Sequence, residues 1–121
     1  MKGIGNDIIE IERIDASIQK HGVHFLNRLF SEKERAYCES QKFSANSYAG
    51  RFAAKEAIAK ALGTGIGEKL SWLDMEILSS PSGKPLLYFS EQAKATFLNP
   101  QVLISISHCK TFATAIAIWQ D

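Results

Sequence analysis

Cysteine is nearly absent from this sequence. Cys38 and Cys109 are the only two, and their separation offers neither a disulfide framework nor a metal-binding spacing. Both are read as reduced, structural thiols. No apolar run approaches the length of a membrane span. The opening residues do not read as a signal peptide, because Asn6, Asp7 and Glu10 interrupt the apolar stretch. A cytoplasmic location is therefore expected. Net charge is also scarce, at +1, so the molecule as a whole presents no field that would gather nucleic acid. There is no internal repeat and no low-complexity segment. No Gly-x-Ser-x-Gly elbow, no Cys/His cluster and no evident Ser-His-Asp arrangement is present. The run Gly63-Thr-Gly-Ile-Gly67 follows a helical pattern instead of preceding one, and it lacks the lysine and hydroxyl of a phosphate-binding loop.

What remains is an ordinary globular composition. Hydrophobic residues make up 45% and charged residues 22% of 121 positions, which fits one domain with a single core. Residues 1–60 carry ten Lys/Arg against eight Asp/Glu, and residues 61–121 carry four against five. An acidic ligand must therefore meet a local cluster of cations.

The alternation of residues 1–12 predicts an opening strand, with Ile9 and Ile11 on one face and Ile4 and Ile8 on the other. Asp15 is placed to cap a short helix through about Lys20, broken at Gly22, with another short helical piece around Phe25–Phe30. Ser31-Glu-Lys-Glu34 is a capping-box pattern opening a helix to about Ser40. Residues Ser44 to Leu62 form the strongest helical pattern, rich in alanine, with Tyr48, Phe52, Ala59 and Leu62 as an apolar stripe and glycine after it. Trp72–Leu78 and Leu86–Phe89 read as strands around a Pro81–Pro85 turn, and Ser90 caps a helix through about Leu98. Val102–His108 and Phe112–Trp119 alternate around Cys109-Lys-Thr111, which predicts a hairpin. Ala113, Ala115 and Ala117 share one face and leave room for a helix to pack closely. The expected class is α+β: an antiparallel sheet packed on one long helix.

Three segments could carry chemistry. Asp7 sits inside an apolar strand, where a charge is costly unless paired or metal-bound; it is either that or an exposed carboxylate on an edge. Glu56 and Lys60 lie one helical turn apart, which is either a surface ion pair or part of a site. Arg51, Lys55 and Lys60 surround that one carboxylate within ten residues. Such a grouping suits a phosphate-rich ligand, with the carboxylate on a hard cation and the cations on the phosphates. His108 closes the strand Ser105-Ile-Ser-His108, at a strand end where loops build sites.

Four patterns occur in order: Gly5-Asn6-Asp7 with Arg13-Ile14, then Arg51-Phe-Ala-Ala-Lys-Glu56-Ala-Ile-Ala-Lys60, then Gly83-Lys84-Pro85, then Ser105-Ile-Ser-His108. Together they resemble the small holo-acyl-carrier-protein synthase type of 4′-phosphopantetheinyl transferase, over nearly the whole chain.

The resemblance implies that Asp7 and Glu56 bind Mg²⁺ beside the pyrophosphate of coenzyme A. It implies that Arg51, Lys55, Lys60, Gly83, Lys84, Pro85 and His108 line the coenzyme A site, and that Arg13, Phe25 and Arg28 meet an acidic helix of the apo-acyl carrier protein. It further implies a homotrimer with each site at a subunit interface. On that reading the carrier's serine attacks the β-phosphate, Glu56 accepts its proton directly or through water, and Lys60 stabilises or protonates the leaving phosphate. The alternatives are a non-catalytic module that binds coenzyme A or a nucleotide, which has no need of the Asp7/Glu56 pair, and an interaction domain that docks acidic helices through Arg13 and Arg28.

Overall fold

A computed structural model describes residues 1–121. The chain runs β1 (Gly3–Glu10), α1 (Ile11–His21), α2 (Val23–Leu29), α3 (Glu32–Ser40) and α4 (Ser44–Leu62). A 3₁₀ turn at Trp72–Asp74 leads into β2 (Met75–Ser79), followed by β3 (Pro85–Phe89), α5 (Glu91–Thr96), β4 (Gln101–His108) and β5 (Phe112–Gln120). The class is α+β, as expected. The single expected sheet is in fact two: a three-stranded antiparallel sheet in the order β1-β5-β4, and a separate antiparallel pair, β2-β3.

Helix α4 is the axis of the molecule. Its residues are buried on nearly every side, from Tyr48 to Leu62, so the expected apolar stripe is replaced by a central helix. Alanine makes this possible. A helix approached by a sheet on one side and by helices on the other needs short side chains all round. One core cluster joins Ala53, Ala57 and Ile58 to the sheet and to β2 through Ile77. The second joins Tyr48 and Ala49 to Ile14, Leu26 and Phe30 of the N-terminal helices. Each large aliphatic side chain buried this way contributes about 1.5–3 kcal/mol. Gly63 ends α4 with φ 82°, and its N–H bonds the carbonyls of Ala59 and Lys60.

Register decides which residues meet that helix. Asp7 pairs with Ala115, and Ala115 pairs with Ile106. The odd residues of β1 and β5 therefore face α4, and Ala113, Ala115 and Ala117 are buried against it. The even residues face outward, leaving Ile4 56% and Ile8 61% exposed. The hairpin and the alternation of β4 fall where the sequence places them.

Three local expectations change. Helix α1 begins at Ile11 with Glu10 at its N-cap, because Ile11 and Ile14 are buried at helical spacing; Asp15 lies on the exposed side of its interior. Trp72–Asp74 is a 3₁₀ turn held by Ser71, whose N–H and hydroxyl both reach the Asp74 carboxylate, so the strand starts only at Met75. Helix α5 stops at Thr96, and Leu98 and Asn99 take left-handed backbone, φ 58° and 54°. The capping box at Ser31 and the cap at Ser90 are both formed.

Candidate active site

The sequence-predicted residues fall into two groups on different sides of α4. Arg51 and Glu56 are five residues apart, which turns their side chains by roughly 140° about the helix axis. Glu56 and Lys60 turn toward β1. Arg51 turns toward β2.

On the β1 side, Gly3 and Gly5 let the strand lie against the helix backbone, and Asp7 follows on the same face. Lys60 Nζ donates to Asp7 Oδ1 at 3.2 Å and to the Asn6 carbonyl at 2.9 Å. The Asp7 side chain is only 16% exposed, against 52% for Lys60. Glu56 belongs to the same cluster. Burial raises its carboxyl pKa above the ordinary glutamate range, the Asp7 charge raises it further, and Lys60 opposes both. One ammonium, paired with Asp7, thus stands near two carboxylates, and the cluster carries an excess of negative charge. No third aspartate, glutamate, histidine or cysteine joins them. An all-oxygen donor set of two carboxylates suits a hard divalent cation whose other positions are taken by phosphate and water.

On the β2 side, a cleft of about 180 Å³ is lined by Tyr37, Arg51, Ser79, Gly83, Pro85 and His108, among others. Arg51 is fixed there from three directions. Its Nε donates to the Ile77 carbonyl at 3.0 Å, an amino group reaches Ser79 Oγ at 3.2 Å, and its guanidinium stands 4.3 Å from the Tyr37 ring centre. Gly83 makes the turn possible with φ 90°. Lys84 is exposed in the same turn, with its side chain on the neighbouring groove. The cleft therefore unites Arg51, Gly83, Pro85 and His108 from three distant segments. Asp7, Glu56 and Lys60 are not part of its lining.

Lys55 is a correction. Expected to line the coenzyme A site, its ammonium is fully buried and donates to Glu34 Oε1 at 2.8 Å, the Leu29 carbonyl at 2.7 Å and the Trp72 carbonyl at 3.1 Å. Three acceptors satisfy its three protons, which leaves none for a phosphate. Burial lowers its pKa below the usual lysine range, and the Glu34 charge opposes that.

Arg13 and Arg28 are exposed on α1 and α2, whereas Phe25 is half-buried against the helical core. Cys38 is buried, as expected of a structural thiol, but Cys109 stands exposed in the hairpin. Sequence reasoning missed Asn46, Ser47, Tyr37 and Ser79 in the cleft. Asn46 and Ser47 could have been found, since they precede Gly50 and Arg51 by one helical turn. Tyr37 carries no such signal, because it arrives from another helix.

Such a fold, with a carboxylate pair on one side of a central helix and a basic cleft on the other, has known relatives. Residues 3–117 match the 4′-phosphopantetheinyl transferase superfamily, and the chain belongs to that family. Within it the chain is similar to holo-[acyl-carrier-protein] synthases. It is 56% identical to that of Protochlamydia amoebophila over 119 residues, covering 98% of both chains. Among solved structures, the holo-[acyl-carrier-protein] synthase of Helicobacter pylori in complex with coenzyme A superposes with TM-score 0.88 at 40% identity, covering 97% of this chain and 99% of that one. The enzyme of Neisseria meningitidis gives TM-score 0.93 at 30% identity, covering 100% and 99%.

Proposed function

We propose that this chain, acting as one transferase domain, moves the 4′-phosphopantetheine arm of coenzyme A onto a serine of apo-acyl carrier protein. The products are holo-acyl carrier protein and adenosine 3′,5′-bisphosphate. The serine oxygen forms a bond to the β-phosphorus, the bond from that phosphorus to the bridging oxygen breaks, and the serine proton leaves. The observation that carries this reading is the meeting of Asp7, Glu56 and Lys60 on one side of α4 in a family of phosphopantetheinyl transferases.

Each residue has a task that its surroundings suit. Asp7 and Glu56 would hold Mg²⁺, which when bound supplies charge neutralisation to the pyrophosphate. Glu56 accepts the serine proton, directly or through water. Lys60, anchored on Asp7 and half-exposed, meets the negative charge that develops on the departing phosphate. Arg51 and His108, with the Gly83–Pro85 turn, receive the nucleotide end of coenzyme A in their cleft. The serine nucleophile belongs to the carrier, so the chain needs none of its own.

The separation of cleft and carboxylates supports a site built by two copies. The outer face of the three-stranded sheet exposes Ile4, Ile8, Leu103 and Ile116, the last two at 53% and 39%. These apolar side chains, exposed on a face that also carries Asn6, Ser105 and Thr114, support an interface there, and a homotrimer would cover them while bringing one copy's cleft to the next copy's carboxylates. Arg13 and Arg28 then remain outward for an acidic carrier helix. The working compartment is the cytoplasm, and the product serves fatty acid biosynthesis. No helix is long and apolar enough to cross a membrane.

The test is to mix the protein with apo-acyl carrier protein, coenzyme A and Mg²⁺ and weigh the carrier. A phosphopantetheine increment that a chelator abolishes is expected. No increment on any apo-carrier would overturn the proposal and leave a binding module.

A further inference from the structure

We infer that Glu34 and Lys55, neither of which lines the cleft, are positioning residues that hold its β2 wall in place for the nucleotide end of coenzyme A. The inference rests on the coenzyme A reading above and concerns the same cleft.

Strand β2 has a free edge. It pairs only with β3 and is not hydrogen-bonded to the three-stranded sheet. A two-stranded ribbon is marginal by itself, and a free strand edge leaves peptide groups without partners. Yet this strand carries Ser79, and the turn after it carries Gly83 and Pro85, all on the cleft. Something outside the ribbon must fix them.

The fixing point is the residue Ile77. Its N–H donates to Glu34 Oε2 at 2.9 Å, and its carbonyl accepts from Arg51 Nε at 3.0 Å. Side chains of α3 and α4 thus supply the ladder partners that the free edge of β2 lacks. The other oxygen of Glu34 accepts from the Ser31 N–H at 2.9 Å and from Lys55 Nζ at 2.8 Å. Lys55 also ties down the Leu29 and Trp72 carbonyls, which lie just before α3 and at the 3₁₀ turn leading into β2. One buried carboxylate and one buried ammonium therefore join α3, α4 and β2 at a single place.

Energetics argue for positioning over plain stabilisation. Both side chains are 0% exposed. Burying two charges costs so much solvation that an apolar pair of equal volume is often as stable or better. What the ion pair supplies instead is register. A one-residue slip of β2 would turn every side chain to the other face, taking Ser79 away from Arg51. Charged groups that read the N–H and the carbonyl of one residue forbid that slip.

The experiment uses adenosine 3′,5′-bisphosphate as the probe, measured by calorimetry, on the unaltered protein, Glu34→Gln and Lys55→Met. Both substitutions keep side-chain volume. The expected result is nucleotide binding weakened by about tenfold or more, as when a site loses its supporting shell. The KM for coenzyme A should rise in parallel, with kcat at saturating coenzyme A and Mn²⁺ binding followed by electron paramagnetic resonance unchanged. Folded variants that bind the nucleotide as tightly as the unaltered protein would overturn the inference. So would an equal loss of nucleotide and Mn²⁺ binding, which would mean general loosening. Should neither variant fold, hydrogen exchange decides on the unaltered protein. Saturating nucleotide should slow exchange of the Ile77 amide, because the ligand binds the arrangement in which Glu34 holds that N–H; no slowing overturns the inference. If the unaltered protein binds no adenosine 3′,5′-bisphosphate at all, the coenzyme A reading falls, and the inference with it.

Discussion

Gly5 of β1 lies so close to Ala57 of α4 that a Cβ at position 5 would stand 2.1 Å from the Ala57 carbonyl oxygen. The same Cβ would meet the Ala61 nitrogen at 2.7 Å and Lys60 Cβ at 2.9 Å. Strand and helix are therefore in backbone contact at this point. Two residues further along the same face of β1, Asp7 reaches Lys60. The glycine sets how deeply the strand lies on the helix, and so how far the Asp7 carboxylate stands from Glu56 and Lys60.

Gly5→Ala must push β1 off α4, because two of the three clashing atoms belong to helix backbone and cannot rotate away. Overpacking of this kind costs about 3 kcal/mol or more. For a chain of this size the thermal midpoint should fall on the order of 10 °C. Transfer activity should fall beyond what the unfolded fraction explains, because Asp7 moves with the strand. Calorimetry and an activity assay at a temperature where the variant is folded check both parts. Unchanged activity there would separate the close approach from the site.

The two thiols should behave oppositely. Burial pushes the Cys38 thiol up to about 12, and the side chain has no exposed surface. Cys109 is exposed in the hairpin, where the N–H groups of Phe112 and then Thr111 hold its pKa below the ordinary thiol value. The thiolate is the reactive form. A disulfide reagent at neutral pH should therefore modify one thiol per native chain quickly, and the second only after denaturation. Cys109→Ser should remove the fast phase and leave the slow one.

Most of what was legible in the sequence was local. The Ala-rich helix and its glycine stop, the capping box at Ser31 and the hairpin around Cys109–Thr111 all rest on neighbours a few residues apart. The division into two sheets was not legible. It depends on β1 pairing with β5 from the far end of the chain and on β2 and β3 pairing only with each other. The candidate site divides in the same way. Asp7 could be singled out as an awkward charge in a strand and Glu56 as a carboxylate among three cations, equally readable as a surface ion pair with Lys60, but that Asp7 meets Lys60 across 53 positions is a tertiary fact. Lys55 shows the opposite error. On α4 it resembles Arg51 and Lys60 in type and spacing. Only its partner Glu34, brought by another helix, shows that it belongs to the interior.

Lys60→Ala should cost activity and, without a divalent ion, some stability. The ion pair with Asp7 is at 3.2 Å, with the Lys60 side chain 52% and the Asp7 side chain 16% exposed. Its loss leaves the nearly buried Asp7 carboxylate beside Glu56 without a cation, so the thermal midpoint in chelator should fall by a few degrees. The rate is another matter, since loss of a charge aimed at a developing anion costs about 10²–10³ in kcat. Lys60 also opposes the upward shift of Glu56. Without it the Glu56 pKa rises further in the absence of a divalent ion. An NMR titration of the Glu56 carboxyl in chelator, with the variant beside the parent, checks the displacement. A variant with parental kcat would remove Lys60 from the chemistry.

Glu56→Gln separates stability from function by sign. The folded-state pKa of Glu56 is raised above its ordinary value of 4.5, chiefly by burial and then by Asp7. A carboxyl raised on folding favours the folded state fully only below its unfolded pKa, and that advantage is lost as pH rises through the folded value. At neutral pH, without a divalent ion, the ionised Glu56 thus destabilises the protein beside Asp7. Replacing it with glutamine should raise the thermal midpoint in chelator at neutral pH, and the gain should vanish near pH 4 and below. Mg²⁺ should reverse the order. It should stabilise the parent by binding the folded state and stabilise Glu56→Gln far less, while transfer activity in the variant is abolished. Thermal scans at two pH values, each with Mg²⁺ and with chelator, contain the whole test. Equal stabilisation of both proteins by Mg²⁺ would take Glu56 out of the metal site.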